Sequence, residues 1–186
     1  LLYLFNIPPC CRGKKGETAM KVKILFFDDI FSDLFRKQND SEQLIWDDNW
    51  VSSIEEELTD SKYNIGTTFE LAKSGDIESW QEIVTKEKPD IILLDLFWPE
   101  QAKLKYGDGR RGMDISLEVI PAIRKVFPSL PVVCYTVKPD QDMLEKAYQA
   151  GATLFLEKVP LAIPEVHSSL KFILIYLLRQ GQTPNN

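Results

Sequence analysis

KPDIILLDL, residues 88–96, contains the run that decides the fold. Pro89 ends the helical pattern before it, because proline disfavours the helical conformation in the residue that precedes it. Four apolar residues follow, Ile91 to Leu94, without alternation between apolar and polar positions. A strand that is apolar on both faces is typical of the centre of a parallel sheet. Asp95 ends the run, and we expect it at the carboxyl edge of that sheet.

Three further apolar runs end in the same way, each with a polar residue directly after it. They are KVKILFF (21–27) before Asp28 and Asp29, PVVCY (131–135) before Thr136, and TLFLE (153–157) before Lys158. Helix-like segments alternate with these runs, which predicts an α/β fold with parallel strands. The carboxyl ends of such strands face one crevice where ligands bind. We therefore expect three carboxylates, a hydroxyl and an ammonium group to meet there.

The rest of the chain completes a doubly wound five-stranded parallel sheet with helices on both faces. The remaining strand is predicted at Tyr63–Phe69. Pro121 lies inside one predicted helix and should kink or interrupt it. Helices are predicted from residue 48 or 49 to about 59, from 75 to 87, from 112 to 127, from 139 to 150, and from 161 or 164 to 179.

Two segments are longer than the connections in this fold require. The first inserted segment, residues 30–46, should be irregular or partly helical, with a turn at Asn39–Ser41. The second inserted segment, residues 100–111, should be a polar, glycine-containing loop. Both follow a strand that ends in a carboxylate. We expect them to form a lid over the crevice or a partner-specific surface.

The carboxylates at the strand ends favour a metal site. Two unit charges about 4 Å apart repel by about 4 kcal/mol at an effective dielectric constant of about 20. A cation or protonation must relieve this repulsion when Asp28, Asp29 and Asp95 meet. The available ligands are all oxygens, so Mg²⁺ is the expected ion.

Composition excludes several other classes of function. The length of 186 residues argues for one domain. The net charge of −6 argues against nucleic-acid binding. Its three cysteines do not form a disulfide framework, so we expect a cytoplasmic protein. No apolar run is long enough to span a membrane, so a membrane role is not expected.

The first nineteen residues differ from the rest. Leu1 is not an initiator, and Lys15–Glu17 can be encoded by a ribosome-binding sequence upstream of Met20. We expect residues 1–19 to be a non-native or disordered leader; the alternative is a genuine tail that docks on the domain. The domain should occupy residues 20–180, and residues 181–186 should be disordered.

The order of the strand-end residues resembles the CheY-like receiver domain of two-component response regulators. KPDIILLDL, GMDISLEVIPAIRK, LPVVCYT and AYQAGATLFLEK carry the resemblance, which covers about residues 21–178. It implies a flavodoxin-like sheet with strand order 2-1-3-4-5. The expected protein is a single-domain receiver that takes a phosphoryl group from a phosphohistidine and signals through a conformational change.

The resemblance also implies roles for individual residues. Asp95 would accept the phosphoryl group, and Lys158 and Thr136 would contact it. Asp29, Asp95 and the main-chain carbonyl of Phe97 would bind Mg²⁺, with Asp28 acting through water. Thr136 and Phe155 would form the conformational switch. Self-catalysed phosphotransfer of this kind leaves open whether the chain counts as an enzyme.

The expected partners follow from the same resemblance. A sensor histidine kinase or a histidine phosphotransfer protein would supply the phosphoryl group in a phosphorelay, and an unidentified protein would receive the output. LKFILIYLL, residues 170–178, is apolar nearly all round. An exposed apolar face there would mark a protein interface; the alternative is that the leader or the domain itself covers this helix. The resemblance implies an interface, and a possible homodimer, at the surface formed by the last strand and the helices on either side of it.

Two alternatives remain open. Val137 replaces the small residue that the family prefers, and Val159 separates Lys158 from Pro160, whereas the family has proline directly after the lysine. These departures favour a phosphorylation-independent binding module with the same fold. The other alternative is a phosphatase of the haloacid-dehalogenase type, which needs a second acid two residues after its nucleophile. Ile30 occupies that position after Asp28.

Overall fold

The computed structural model describes four stretches of the chain, which are residues 20–60, 66–137, 139–158 and 164–180, without the side chains of 164–168. The expected leader and tail, residues 1–19 and 181–186, lie outside the described residues, as do Val159 and Pro160. Within the described residues no helix is long and apolar enough to cross a membrane.

Strands and helices alternate along the described chain. The strands are β1 (Met20–Phe27), β2 (Thr67–Ser74), β3 (Ile91–Asp95), β4 (Val132–Thr136) and β5 (Leu154–Glu157). The α-helices are α1 (Asp33–Gln38), α2 (Ser41–Thr59), α3 (Trp80–Glu87), α4 (Pro99–Tyr106), α5 (Gly112–Val126), α6 (Gln141–Ala150) and α7 (Pro164–Gln180). Short 3-10 helices cover Asp29–Phe31 and Gly109–Arg111.

The five strands form one parallel sheet in the order β2-β1-β3-β4-β5, which confirms the predicted fold. β3 and β4 are buried along their whole length, as expected for central strands. Register places Asp95 opposite Tyr135, so that β3 and β4 end side by side. The carboxyl ends of all five strands therefore share one edge of the sheet.

Helices cover both faces of the sheet through two separate apolar cores. On one face, α2 and α7 pack on the strands through side chains such as Ile54 and Leu174. On the other face, α3 to α6 contribute side chains such as Ile123 and Ala147. Alternate residues of each strand point to opposite faces, so each strand contributes to both cores.

Strand β2 and helix α3 lie later in the chain than predicted. β2 spans Thr67–Ser74 and not Tyr63–Phe69, because it pairs with all eight residues of β1, from Met20 to Phe27. Its end lies against the first inserted segment. A Cβ atom on Gly75 would come within 2.2 Å of the backbone nitrogen of Ser32, so only glycine fits there. Residues 75–79 form a turn, and α3 begins at Trp80.

Helix α2 begins about seven residues earlier than the sequence pattern predicted. Asp40 is its N-cap, and its carboxylate accepts a hydrogen bond from the backbone N–H of Gln43 at 2.9 Å. The Asn39–Ser41 turn signal therefore starts a helix. The prediction of a partly helical first inserted segment is confirmed by α1 and the first turns of α2.

The second inserted segment is helical, so the prediction of a polar loop was wrong. Pro99 occupies the first turn of α4, where its missing N–H costs nothing, and Gly107 ends the helix with a φ of 74°. Ala102 of α4 is fully buried in the core under α5. Helix α5 runs through Pro121 without interruption, and Pro121 itself is exposed.

Candidate active site

The strand ends bring the predicted site residues together. Asp28 directly follows β1, Asp95 and Thr136 end β3 and β4, and Lys158 directly follows β5. Together with Asp29, all of them are at least nine-tenths buried. The backbone N–H of Lys158 donates to the carbonyl of Thr136 at 2.7 Å, which fixes the end of β5 beside β4.

Three hydrogen bonds hold the Asp28 carboxylate. Its Oδ2 atom accepts from the hydroxyl of Tyr135 at 2.6 Å and from Nζ of Lys158 at 2.8 Å. Its Oδ1 atom accepts from the backbone N–H of Ile30 at 3.1 Å. Charge-assisted bonds of this kind are stronger than neutral ones. Asp28 is therefore fixed from two sides.

The Asp95 carboxylate shares the same lysine. Its Oδ2 atom accepts from Nζ of Lys158 at 3.1 Å, and its Oδ1 atom accepts from the backbone N–H of Phe97 at 3.1 Å. The main-chain carbonyl of Asp95 accepts from Nε1 of Trp98 at 2.7 Å and from the hydroxyl of Ser116 at 3.0 Å. Trp98, just before the second inserted segment, and Ser116 of α5 thus hold the backbone that carries Asp95.

Burial and charge act in opposite directions on Lys158 and Asp95. Burial lowers the pKa of Lys158, but the carboxylates of Asp95 and Asp28 outweigh it and raise that pKa above its ordinary value. Burial raises the pKa of Asp95 to about 6, although Lys158 and the N–H of Phe97 oppose the rise. At neutral pH the lysine is therefore charged and Asp95 is mostly ionised.

Asp29 lies in the same cluster, and among the described residues no cation forms an ion pair with it. Its burial, followed by the nearby charges of Asp28 and Asp95, raises its pKa to about 9. Carboxylate oxygens of these three residues lie within 4.8 Å of one another. Ionisation of all three carboxylates beside one ammonium would leave excess negative charge, which a cation can relieve, and oxygen ligands suit a hard divalent cation. The residues present therefore fit a divalent metal ion, most directly at Asp29 and Asp95.

The other predicted residues lie at or near this cluster. The backbone N–H of Phe97 donates to Asp95, and the residue is 38% exposed beside the site. Phe155 of β5 is half-buried on the α3–α6 side of the sheet, opposite Cys134 of β4. The switch role of Thr136 and Phe155 and the metal role of the Phe97 carbonyl remain predictions.

A cleft of about 770 Å³ opens above the cluster. We call it the carboxylate cleft; its polar lining includes Asp29, Asp47, Asp95, Thr136 and Lys158. Apolar side chains surround this polar floor, and three of them are also exposed to solvent, namely Trp46, Phe97 and Val137. The first inserted segment contributes Trp46 and Phe35 to the lining, so it borders the cleft; its role as a lid or as a partner-specific surface stays a prediction. Val137 lies at the cleft but is 42% exposed and leaves it open.

Comparison with curated proteins finds partial matches to two bacterial proteins. No family model matches the chain. A stretch of 103 residues is 31% identical to the DNA-binding transcriptional regulator NtrC of Proteus hauseri, covering 55% of this chain and 19% of that protein. A stretch of 90 residues is 29% identical to sporulation initiation phosphotransferase F of Bacillus subtilis strain 168, covering 48% of this chain and 61% of that protein. The chain thus spans less than two thirds of either relative.

Comparison with solved structures extends over most of the chain. The response regulator receiver domain protein (CheY-like) of Methanospirillum hungatei has a TM-score of 0.51 at 17% identity and covers 87% of this chain and 98% of its own. The chain has the receiver-domain fold. The phosphorylated cyanobacterial phytochrome response regulator RcpA has a TM-score of 0.55 at 19% identity, with coverage of 89% and 99%. The Mn²⁺-bound response regulator Rcp1 has a TM-score of 0.53 at 19% identity, with coverage of 88% and 99%.

Three residues at the site of this receiver fold were not predicted. Asp47 is a fourth carboxylate at the cleft; burial raises its pKa, against a hydrogen bond from Gln43. Tyr135 binds Asp28, and the ring of Trp50 lies beneath Lys158. Asp47 precedes Val51, Ile54 and Leu58 at helical spacing, so it lies with them on the buried face of α2. That spacing could have revealed it, had α2 been predicted to begin at residue 41.

Proposed function

We propose that this chain is a receiver that accepts a phosphoryl group on Asp95. The observation that carries the proposal is a buried carboxylate at the floor of an open cleft, with one oxygen bonded to Lys158 and two more carboxylates beside it. A carboxylate oxygen of Asp95 attacks the phosphorus of a phosphohistidine on a partner protein. The new P–O bond replaces the P–N bond, and the departing imidazole nitrogen takes a proton from solvent.

Mg²⁺ is the divalent ion that we propose for this site, held by Asp29, Asp95 and the main-chain carbonyl of Phe97. When bound, it supplies positive charge next to the oxygens of the transferring phosphoryl group. Asp28 acts on this ion through water, because Tyr135 and Lys158 already occupy its Oδ2 atom. The raised pKa of Asp29, caused by burial and by Asp28 and Asp95, supports a site that gains from a cation.

Lys158 and Thr136 are the proposed phosphoryl contacts. The lysine ammonium is already hydrogen-bonded to the acceptor carboxylate, so it can neutralise charge on a phosphoryl oxygen there. Thr136 lies at the cleft, where its hydroxyl can turn toward a phosphoryl group. A shift of Thr136 would leave space that the ring of Phe155 could fill, which would pass the change to the outer face of β5.

The partners follow from this chemistry. A sensor histidine kinase or a histidine phosphotransfer protein supplies the phosphoryl group, and a further protein receives the output. The α6–β5–α7 face is the surface that we propose for output or for homodimerisation. Its exposed apolar side chains are Leu144 and Tyr148 on α6 and Phe172 and Tyr176 on α7.

Intact-mass analysis after incubation with acetyl phosphate and Mg²⁺ tests this function. The wild-type protein should gain the mass of one phosphoryl group, and chelation of the metal should prevent the gain. Asp95→Asn should lose the label completely, because the amide is not a nucleophile of comparable strength. Asp142→Asn, at an exposed carboxylate on α6, is the matched control and should be labelled like wild type.

A phosphorylation-independent binding module is the second candidate. The apolar mouth of the carboxylate cleft favours it, because Trp46, Phe97 and Val137 expose apolar area that a protein partner could cover. Absence of label from acetyl phosphate, from phosphoramidate and from a phosphorylated histidine phosphotransfer protein would replace the first proposal with this one. The residue two positions after Asp28 is buried Ile30, so a dehalogenase-type phosphatase is not proposed.

A further inference from the structure

Tyr135 carries a buried hydroxyl group that takes no direct part in the proposed phosphoryl transfer. It is 1% exposed, immediately before Thr136 in β4. Its hydroxyl donates to Oδ2 of Asp28 at 2.6 Å, and the carbonyl of Phe27 lies farther away at 3.3 Å. The same Asp28 oxygen accepts from Lys158. One carboxylate oxygen thus joins the tyrosine to the lysine.

An aromatic floor lies under this junction. The rings of Phe26, Trp50 and Tyr135 contact one another, with centroid separations of 5.4 Å, 5.9 Å and 6.1 Å. Nζ of Lys158 lies 4.7 Å from the Trp50 ring centroid and 5.4 Å from that of Tyr135. Cation–π attraction is stronger where the cation has lost its water, and this ammonium is buried. The ammonium therefore lies between two carboxylates and two ring faces.

We infer that Tyr135 is a positioning residue that, with Trp50, fixes the Asp28–Lys158 pair beside the phosphoryl acceptor. Oδ2 of Asp28 has two lone pairs, which the tyrosine and lysine donors occupy. Without the hydroxyl, the carboxylate keeps only its bonds to Lys158 and to the backbone N–H of Ile30, so it is held less firmly and can draw the ammonium away from Asp95. The catalytic consequence rests on the proposed function, but the positioning itself does not.

Tyr135→Phe tests the positioning without phosphorylation. The ring stays and only the hydroxyl is removed, so the core and the cation–π contact are kept. Tyr106→Phe is the matched control, because it also removes a tyrosine–carboxylate hydrogen bond, to Glu118 at the surface. The readout is the ¹⁵N NMR signal of the Lys158 ammonium in metal-free protein, which is visible only when the protons are protected from exchange. Lys158→Arg assigns the signal.

Lys171 provides an internal reference. It is 3% exposed, and its ammonium donates to the carbonyl of Asp60 at 3.1 Å, away from the cleft. Tyr135→Phe should broaden or remove the Lys158 signal and leave the Lys171 signal unchanged, whereas Tyr106→Phe should affect neither. Loss of both signals in Tyr135→Phe would show that the hydroxyl merely supports the fold, and an unchanged Lys158 signal would show that it positions nothing. Either result overturns the inference.

Kinetics with acetyl phosphate then separate this inference from the proposed function. Tyr135→Phe should lower the maximal rate of labelling roughly tenfold, the size expected for a bond to a charged group, with little change in the concentration of half-maximal rate. Wild type that is never labelled, together with a Lys158 signal lost in Tyr135→Phe, would defeat the proposed function and leave the positioning intact. Wild-type rates in the variant would overturn the catalytic consequence.

Discussion

The two inserted segments both follow strands that end in site carboxylates, yet they occupy different positions relative to the cleft. The first, residues 30–46, lies over the carboxylate cleft and contributes Phe35 and Trp46 to its lining. The second, residues 100–111, packs behind the site, with Ala102 in the core and Leu104 74% exposed on its outer side. Its position is fixed at Trp98, which is fully buried and bonded to the carbonyl of Asp95. Position next to a strand end therefore does not by itself make a segment part of the cleft.

The sharpest test of this difference is a pair of tryptophan truncations. Trp98→Ala should lower the free energy of unfolding by about 3–5 kcal/mol, since it removes a large buried side chain and leaves a cavity. Trp46→Ala, in the first segment, should change it by less than about 1 kcal/mol because Trp46 is 47% exposed. Urea unfolding measures both. Trp98 precedes the second segment and fixes its position, so equal losses would contradict the division into a structural and a functional segment.

Substitution of Asp29, directly before the first segment, should change the free energy of unfolding with the opposite sign. Its folded-state pKa of about 9 lies above the ordinary 3.8, so the folded protein binds more protons between these values. The free energy of unfolding of the metal-free protein should therefore fall as pH rises through this window. Asp29→Asn should stabilise the metal-free protein by about 2 kcal/mol at pH 8 and flatten the pH dependence.

The same substitution should weaken metal binding and labelling, because the proposed metal site loses a ligand. Calorimetric titration of Mg²⁺ and urea unfolding at several pH values give the two measurements. Asp142→Asn is again the control, since its carboxylate is exposed and paired with Lys146 on the same helix. A destabilised Asp29→Asn protein would mean that the carboxylate supports the fold and that its burial is already compensated without metal.

The smallest expected effect is on the labelling rate, when an exposed apolar side chain is truncated in each of the two segments. Trp46→Ala should raise the labelling rate with acetyl phosphate roughly threefold, since the ring narrows the mouth of the cleft. Leu104→Ala should leave this labelling rate unchanged. It should also leave the free energy of unfolding within about 0.5 kcal/mol of wild type. A changed labelling rate in Leu104→Ala would show that the second segment also controls access to Asp95.

Much of this molecule was predictable from its apolar runs. The run at Ile91–Leu94 and the polar residues after each run gave the sheet and the cluster, because strand ends in a parallel sheet must share one edge. Helix α4 was missed because its residues are mostly polar and Ala102 is its only buried apolar side chain. Its position depends on Trp98 and on Gly112, where a Cβ atom would come within 2.9 Å of the Trp98 backbone nitrogen.

The chemistry was less predictable than the placement. The sequence indicated which side chains would meet, but the bond from Tyr135 to Asp28 joins residues that are 107 positions apart. A strand residue next to Thr136 is expected in the core on its pattern alone, and nothing in the pattern identifies a hydroxyl partner. Asp47 was missed for a different reason, since its helix was predicted to begin after it.

The arrangement of tryptophans has a practical consequence. Of the four in the chain, Trp50 lies under the Lys158 ammonium, Trp98 is bonded to the carbonyl of Asp95, and Trp46 lines the cleft. Three of the four indoles therefore lie at the cleft, at the backbone of Asp95 or at the lysine that binds Asp95. The intrinsic fluorescence of this protein is a built-in optical reporter of its acceptor site, and single tryptophan-to-phenylalanine variants can assign each part of the emission without an added dye.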